Sequence, residues 1–350
     1  MKRIILLFTL VLALGACENV ETYEVVNNDF KRNYDAAWNL VNENYCFLGY
    51  KNIDWDKVYD KYLPQVEQAK DECEFFDIMC DFVDELRDGH AGIMSNFDRH
   101  ASMYRLEADG TVSPNDYISR SAVAAYLVDD RVTKNGYTYG YVNGENGRKY
   151  VYFNYLDFSK NLGGVDLEYI SRLIKGNDGV VCDGIIFDLR ENPGGAVSYG
   201  IDFAGHFFSE EKIVIYTAKK NGVGYDDFTE PNPVKVTPKA ENNWSNIPTT
   251  LLTNRSVYST ANIVTSVLKS ATNVKQMGAR SGGGGGMPVT HYLPNGWALI
   301  FPENVIYDLD LNHIENGIEP DIEVHISRQD EIDGKDRILE KAIEVLNTGF

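Results

Sequence analysis

The sequence predicts an α/β protein in which a strand-and-helix core follows a helical subdomain. Three observations lead there. Apolar residues recur three and four apart through residues 29–90, as on helices that bury one face. After residue 136 short apolar or β-branched runs alternate with helical patterns. Several of those runs end in glycine-rich turns, as buried parallel strands do at functional loops.

The elements follow in chain order. Lys2 and Arg3 precede an apolar run from Ile4 to Leu14, broken only by Thr9, and then Leu14-Gly15-Ala16-Cys17. The run is too short for a membrane span and suits a secretory signal. Residues 1–16 are therefore expected to be a leader, and the small residues before Cys17 resemble the lipobox of bacterial lipoproteins, in which the cysteine is lipidated. Removing Lys2 and Arg3 makes a chain of formal charge -19 more negative by two. Residues 17–28 read as a polar tether. The implied location is the cell envelope, with the lipid as the only membrane contact.

Residues 29–96 read as the helical subdomain. Phe75, Phe76, Met79, Phe82, Val83 and Leu86 form one stripe. Asp54 is a candidate N-cap, Pro64 is expected to limit the helix after it, and Gly89 is a C-cap candidate that puts His90 at a turn. Periodicity fades over 97–135, which reads as an irregular linker. From 136 to 350 the core is expected. Its strands are Tyr137–Val142, Lys149–Tyr155, Gly184–Leu189, Thr249–Thr253, Ala298–Phe301 and Ile322–Ile326. Its helices are Val165–Lys175, Val197–Phe208, Thr260–Leu268 and Arg337–Leu346.

Composition excludes some classes. The 43% hydrophobic and 24% charged content is that of a globular chain, and the strong negative charge argues against a nucleic-acid partner. Cys73 and Cys80, seven apart on a predicted helix, stand about 10 Å apart, too far for a disulfide. The thiols at 46, 73, 80 and 182 are expected to be buried and free, and no metal-ligand spacing occurs. His100, His206, His291, His313 and His325 read as surface or satisfied histidines. The run Gly282–Gly286 lacks the lysine of a phosphate loop and reads instead as a mobile flap.

Ser259 lies between a strand and a helix. It could serve as an N-cap, accepting from an amide two or three residues on, or as a nucleophile whose developing anion the helix N-terminus stabilises. A hydroxyl needs a base to act as a nucleophile.

Four motifs bear on that choice. Gly184–Gly195, GIIFDLRENPGG, resembles the strand-and-glycine signature of the C-terminal-processing (tail-specific) and tricorn-core serine peptidases. Tyr258-Ser259-Thr260-Ala261-Asn262 resembles the family's nucleophile motif, Leu86-Arg87-Asp88-Gly89-His90 its histidine element, and Glu315-Asn316-Gly317-Ile318-Glu319-Pro320-Asp321 its closing motif. The resemblance implies a crotonase/ClpP-like βα core of the tail-specific protease type. It also implies a serine-type endopeptidase acting on polypeptides without metal or cofactor.

Family members use a lysine or a histidine as base. No lysine lies between Lys275 and Lys335, so the resemblance points to the histidine branch. It assigns Ser259 as nucleophile, His90 as general base, Glu315 as the group supporting His90 (with Glu319 its rival), and the amides of Thr260 and of Gly194 or Gly195 as the oxyanion hole. Gly89 stands where tricorn carries serine, and Asn262 replaces the usual glutamate. The stretch between His90 and Tyr137 is too short for an inserted PDZ domain. Relatives on this fold also hold ligands without proteolysis, so a peptide- or hydrophobic-ligand-binding lipoprotein is the alternative reading.

Overall fold

The computed structural model describes residues 29–102, 120–134, 137–159, 164–176 and 181–349. The expected leader, the expected lipidation site at Cys17 and the expected tether lie outside the described residues. Helices α1 (Phe30–Asn44), α2 (Trp55–Gln68) and α3 (Glu72–Asp84) open the chain, with Asp29, Asp54 and Asp71 accepting from their first-turn amides. Two of the expected helix ends are corrected. Pro64 lies inside α2, on its exposed side, where solvent replaces the bond that proline cannot make. Gly89 does not close α3. That helix stops at Asp84, and Arg87 takes the left-handed conformation at φ 48°.

Strands β1 (Gly92–Met94) and β2 (Arg99–Ala101) follow, then α4 (Arg120–Tyr126) and β3 (Leu127–Lys134), so part of the stretch read as irregular is ordered. The core continues through β4 (Tyr137–Asn143), β5 (Lys149–Asn154), α5 (Gly164–Lys175), β6 (Gly184–Asp188), α6 (Val197–Ala204), β7 (Lys212–Lys219), β8 (Asn232–Val236), β9 (Thr249–Thr253) and α7 (Thr260–Lys269). It ends with β10 (Val274–Gly278), β11 (Gly286–Tyr292), β12 (Ala298–Tyr307), β13 (Ile322–Glu323), α8 (Arg328–Ile332) and α9 (Arg337–Thr348).

Seven strands form one sheet in the order β13-β10-β9-β6-β5-β4-β3, parallel from β13 to β5 and antiparallel beyond. Alternate side chains face opposite layers. Val151, Phe153, Ile185, Phe187 and Leu251 pack with α5, α6 and α7, whereas Tyr150, Tyr152, Ile186 and Leu252 pack with Ile338, Leu339 and Ala342 of α9. All residues of β6 and β9 are buried, as a sheet covered on both faces requires.

The second sheet is built on β12. Strand β11 runs along one edge, while β1 pairs with its first half and β7 with its second. Leu299, Phe301 and Val305 of β12 share a core with Phe75, Met79 and Phe82 of α3. This packing seats the helices on the second sheet and brings the turn after α3 toward the C-terminal ends of β6, β9 and β10.

Candidate active site

Three loops leave the carboxyl ends of adjacent parallel strands and converge, where open α/β sheets place their sites. The first, after β6, is the 189–195 turn. Arg190 is fully buried, with Asp188 and Asp336 on either side of its guanidinium at 2.8–3.0 Å. Asp336 also caps α9 through the Leu339 amide, so the turn is tied to the C-terminal helix. The Gly194 N–H donates to Asn192 Oδ1 at 2.8 Å. Its donor is spent within the turn, which leaves Gly195 as the oxyanion-hole candidate there. Gly195, at φ 141°, rests on the Phe158 backbone, and its carbonyl accepts from Thr260 Oγ1 at 2.6 Å.

The second loop carries Ser259 from β9 into α7. Ser259 occupies the N-cap position but makes no capping bond, so the capping role weighed from the sequence is not the one it plays. Its backbone is strained, at φ 55° and ψ −123°, a conformation that costs roughly 1–3 kcal/mol and turns the hydroxyl outward at a sharp strand-to-helix bend. Its Oγ lies 3.0 Å from His90 Nε2, and both residues are partly exposed. The Thr260 amide opens α7 beside it. Asn262 is buried within the helix, donating to the Ile314 carbonyl and accepting from Ser281 Oγ, and so ties α7 to the other loops.

The third loop is the glycine run, and here the expected flap is corrected. Residues 282–286 are all buried. A methyl group on Gly282 would collide with the Arg255 carbonyl, and one on Gly283 with that of Glu315. On Gly284 it would stand 2.6 Å from the Tyr258 ring. Glycine is needed because the strap is threaded between neighbouring backbones, with Gly283 and Gly284 at positive φ. Ser259 N donates to Gly283 O, and Gly284 N to Glu315 O.

His90 comes from the turn after α3. Its own amide donates to Asp88 Oδ1 at 2.8 Å, and its ring stands 4.9 Å from that of Tyr258. Nδ1 is buried and meets no acceptor among the described residues. Burial holds His90 below its ordinary value, with Asp88 pulling the other way and Lys51 adding to the fall.

Glu315 is buried and makes no hydrogen bond to the His90 ring. Its Oε2 accepts from Gly285 N at 2.7 Å, and its Oε1 stands 2.8 Å from Lys51 Nζ. Burial pushes Glu315 up to about 7 against the pull of Lys51, with Asp88 adding to the rise. Glu319 is exposed and pairs with Arg280, so of the two candidate glutamates it is Glu315 that lies buried among these loops. Burial also opposes ionisation of Asp88, but Lys51 and His90 outweigh it and hold that carboxyl below its usual range.

Lys51, Asp88 and Tyr45 were not among the expected site residues. Asp88 stood in the motif that carries His90, two positions before it, whereas Lys51 and Tyr45 gave no local signal. The thiols also differ from expectation. All four described cysteines are free, but only Cys46 is buried; Cys80 and Cys182 are half-buried and Cys73 is exposed.

Comparison with known proteins adds a family. The model for peptidase family S41 matches residues 149–324, and that for the tricorn protease C1 domain matches residues 26–84. A carboxyl-terminal-processing protease of Picosynechococcus is 26% identical over 185 residues, 52% of this chain and 41% of its own, so this chain spans about two fifths of that curated relative. A protein of Parabacteroides merdae assigned as a peptidase superposes with a TM-score of 0.80 and 34% identity, over 91% of this chain and 97% of its own. The photosystem II D1 C-terminal processing protease shares the fold at a TM-score of 0.56 and 15% identity, over 92% of this chain and 98% of its own.

Proposed function

The chain belongs to peptidase family S41, and we propose that it hydrolyses peptide bonds with Ser259 as nucleophile and His90 as general base. The observation that carries this reading is the 3.0 Å separation of Ser259 Oγ from His90 Nε2, between residues far apart in sequence. Ser259 Oγ attacks the substrate carbonyl carbon as its proton passes to Nε2. The carbonyl oxygen becomes an anion that the amides of Thr260 and Gly195 face, at the positive end of α7. Collapse breaks the C–N bond, and His90 returns the proton to the leaving amine. Water then attacks the acyl-enzyme as His90 accepts its proton, the C–O bond to Ser259 breaks, and His90 returns the proton to Ser259 Oγ. A lowered histidine is suited to this work, since only the neutral ring can take a proton.

The substrates are polypeptides. The leader and Cys17 support a lipid-anchored enzyme of the cell envelope, acting on extracytoplasmic proteins or peptides. The test is to incubate the mature chain and its Ser259→Ala variant with casein and with a peptide library. Cleavage by the wild type alone, together with fluorophosphonate labelling confined to Ser259, is the expected result. A variant that still cleaves, or a label on another serine, would remove the assignment.

A further inference from the structure

His90 poses a problem that the residues described so far leave open. A general base needs a fixed ring, yet among the described residues no group bonds Nδ1, the atom through which a carboxylate ordinarily orients a catalytic histidine. Glu315 is bonded elsewhere. Besides the Tyr258 ring beside it, the backbone sets the imidazole, and among the described residues the side-chain bond to that backbone is the one from the His90 amide to Asp88 Oδ1.

What holds Asp88 is Lys51. The ammonium lies in the loop after α1, with its side chain only 9% exposed, and it reaches four oxygens. These are Asp88 Oδ2 at 3.0 Å, the Arg87 carbonyl at 3.0 Å, Tyr45 Oη at 3.0 Å and Glu315 Oε1 at 2.8 Å. An ammonium has three protons, so every one has an acceptor and the buried charge is fully compensated. The Tyr45 hydroxyl reaches the same Asp88 oxygen at 2.8 Å. Lys51 thus joins three segments distant in sequence: its own loop, the turn that carries His90, and the loop whose carboxylate fastens the glycine strap under Ser259.

Resting on the serine-peptidase reading, we propose that Lys51 is the positioning residue of this site: it locks the 87–90 turn and the Glu315 loop together and sets the charge that His90 experiences. The groups facing this cluster are Tyr45, Cys46 and Tyr50 from the loop after α1, Arg87 and Asp88 from the turn, and Glu315 and Arg280 from the C-terminal side. Burial, with Asp88 and Glu315 adding to it, holds the Tyr45 hydroxyl and the Cys46 thiol well above their ordinary values, so both stay neutral. Asp88, Glu315 and His90 are then the groups whose charge changes between acid and neutral pH, and Lys51 is the fixed positive charge among them.

The test is Lys51→Met beside Lys51→Arg in the mature chain, with the titration of His90 followed by NMR and the rate of fluorophosphonate labelling of Ser259 followed against pH. Removing the positive charge should raise the His90 midpoint by about one pH unit, shift the acid limb of labelling upward with it, and lower the plateau about 10- to 100-fold as the turn loosens. Lys51→Arg should keep the wild-type midpoint. A Lys51→Met protein with a lowered plateau but an unmoved midpoint would leave Lys51 a packing residue and overturn the proposal. If that variant does not fold, Lys51→Gln, which keeps a hydrogen-bond donor without the charge, decides: its midpoint should also rise, and an unmoved or lowered midpoint refutes the coupling. Wild type that leaves Ser259 unlabelled strikes the peptidase reading instead, while the NMR titration still judges Lys51.

Discussion

Replacing Gly195 by alanine tests the oxyanion hole at its tightest point. Gly195 has φ 141°, and a β-carbon there would stand 2.6 Å from the Phe158 carbonyl oxygen and closer still to the carbonyl carbon and the Ser159 amide. Ordinary contacts of this kind begin at 3.4 Å, and the obstacles are backbone atoms that cannot rotate away. The turn must therefore retreat by about 1 Å, enough to remove a donor from a developing anion. Losing one such donor costs about 3–4 kcal/mol, or roughly 10²–10³ in kcat. KM should change far less, because the donor acts mainly in the transition state. The assay is steady-state hydrolysis of a fluorogenic peptide by wild type and Gly195→Ala, with circular-dichroism melts to establish that both are folded at the assay temperature. A folded variant whose kcat lies within threefold of wild type would show that the Gly195 amide does not serve the anion.

Four further outcomes follow from the same geometry. Gly284→Ala should lower activity by crowding the Tyr258 ring and straining a φ of 79°, and it should lower the melting temperature as well; a variant as active and as stable as wild type would argue that the strap is loosely held. Asp336→Ala leaves the buried Arg190 with half its compensation and α9 without its cap, so urea unfolding should register a loss of about 3–5 kcal/mol, and a loss below about 1 kcal/mol would mean that Arg190 finds another partner. Because His90 must be neutral to accept a proton and is held below 6.5, labelling of Ser259 should persist on acidification past 6.5 and fail only below it, whereas Glu315, raised from 4.5 to about 7, contributes stability present at low pH and lost as pH rises through 7, a slope that Glu315→Gln should abolish in pH-dependent melts.

How far the sequence reaches depends on whether a signal is local. The buried parallel strand β6 is legible because a sheet covered on both faces demands a continuous apolar run, and it ends in a turn whose glycines mark close approach. Strand β11 is not, because beyond Gly286 its positions are only half-buried or exposed and it carries Pro288 at a bulge, a residue that argues against a strand when read along the chain. The glycine run misleads for a related reason. Glycine signals either freedom or lack of room, and only the neighbouring Arg255 and Glu315 carbonyls decide between them.

The same distinction separates the site residues. Ser259, His90 and Glu315 stand in motifs that the family resemblance can address one at a time, and Asp88 sits two residues from His90, where its bond to the histidine amide is a local turn. Lys51 has no such neighbour. Its loop says only that a lysine follows several aromatic residues, and an isolated lysine in a sequence reads as solvent-exposed. It becomes part of the site only when α1–α3 pack on β12, because that docking closes two acidic loops over one ammonium. The consequence is physical as well as interpretive. A lysine with two buried carboxylates joins the helical layer to the catalytic loops, so protonation of Glu315, which relieves the cost of its burial, leaves the charge contact with Lys51 to Asp88, which is held below its usual range and keeps its hold on the turn that carries His90.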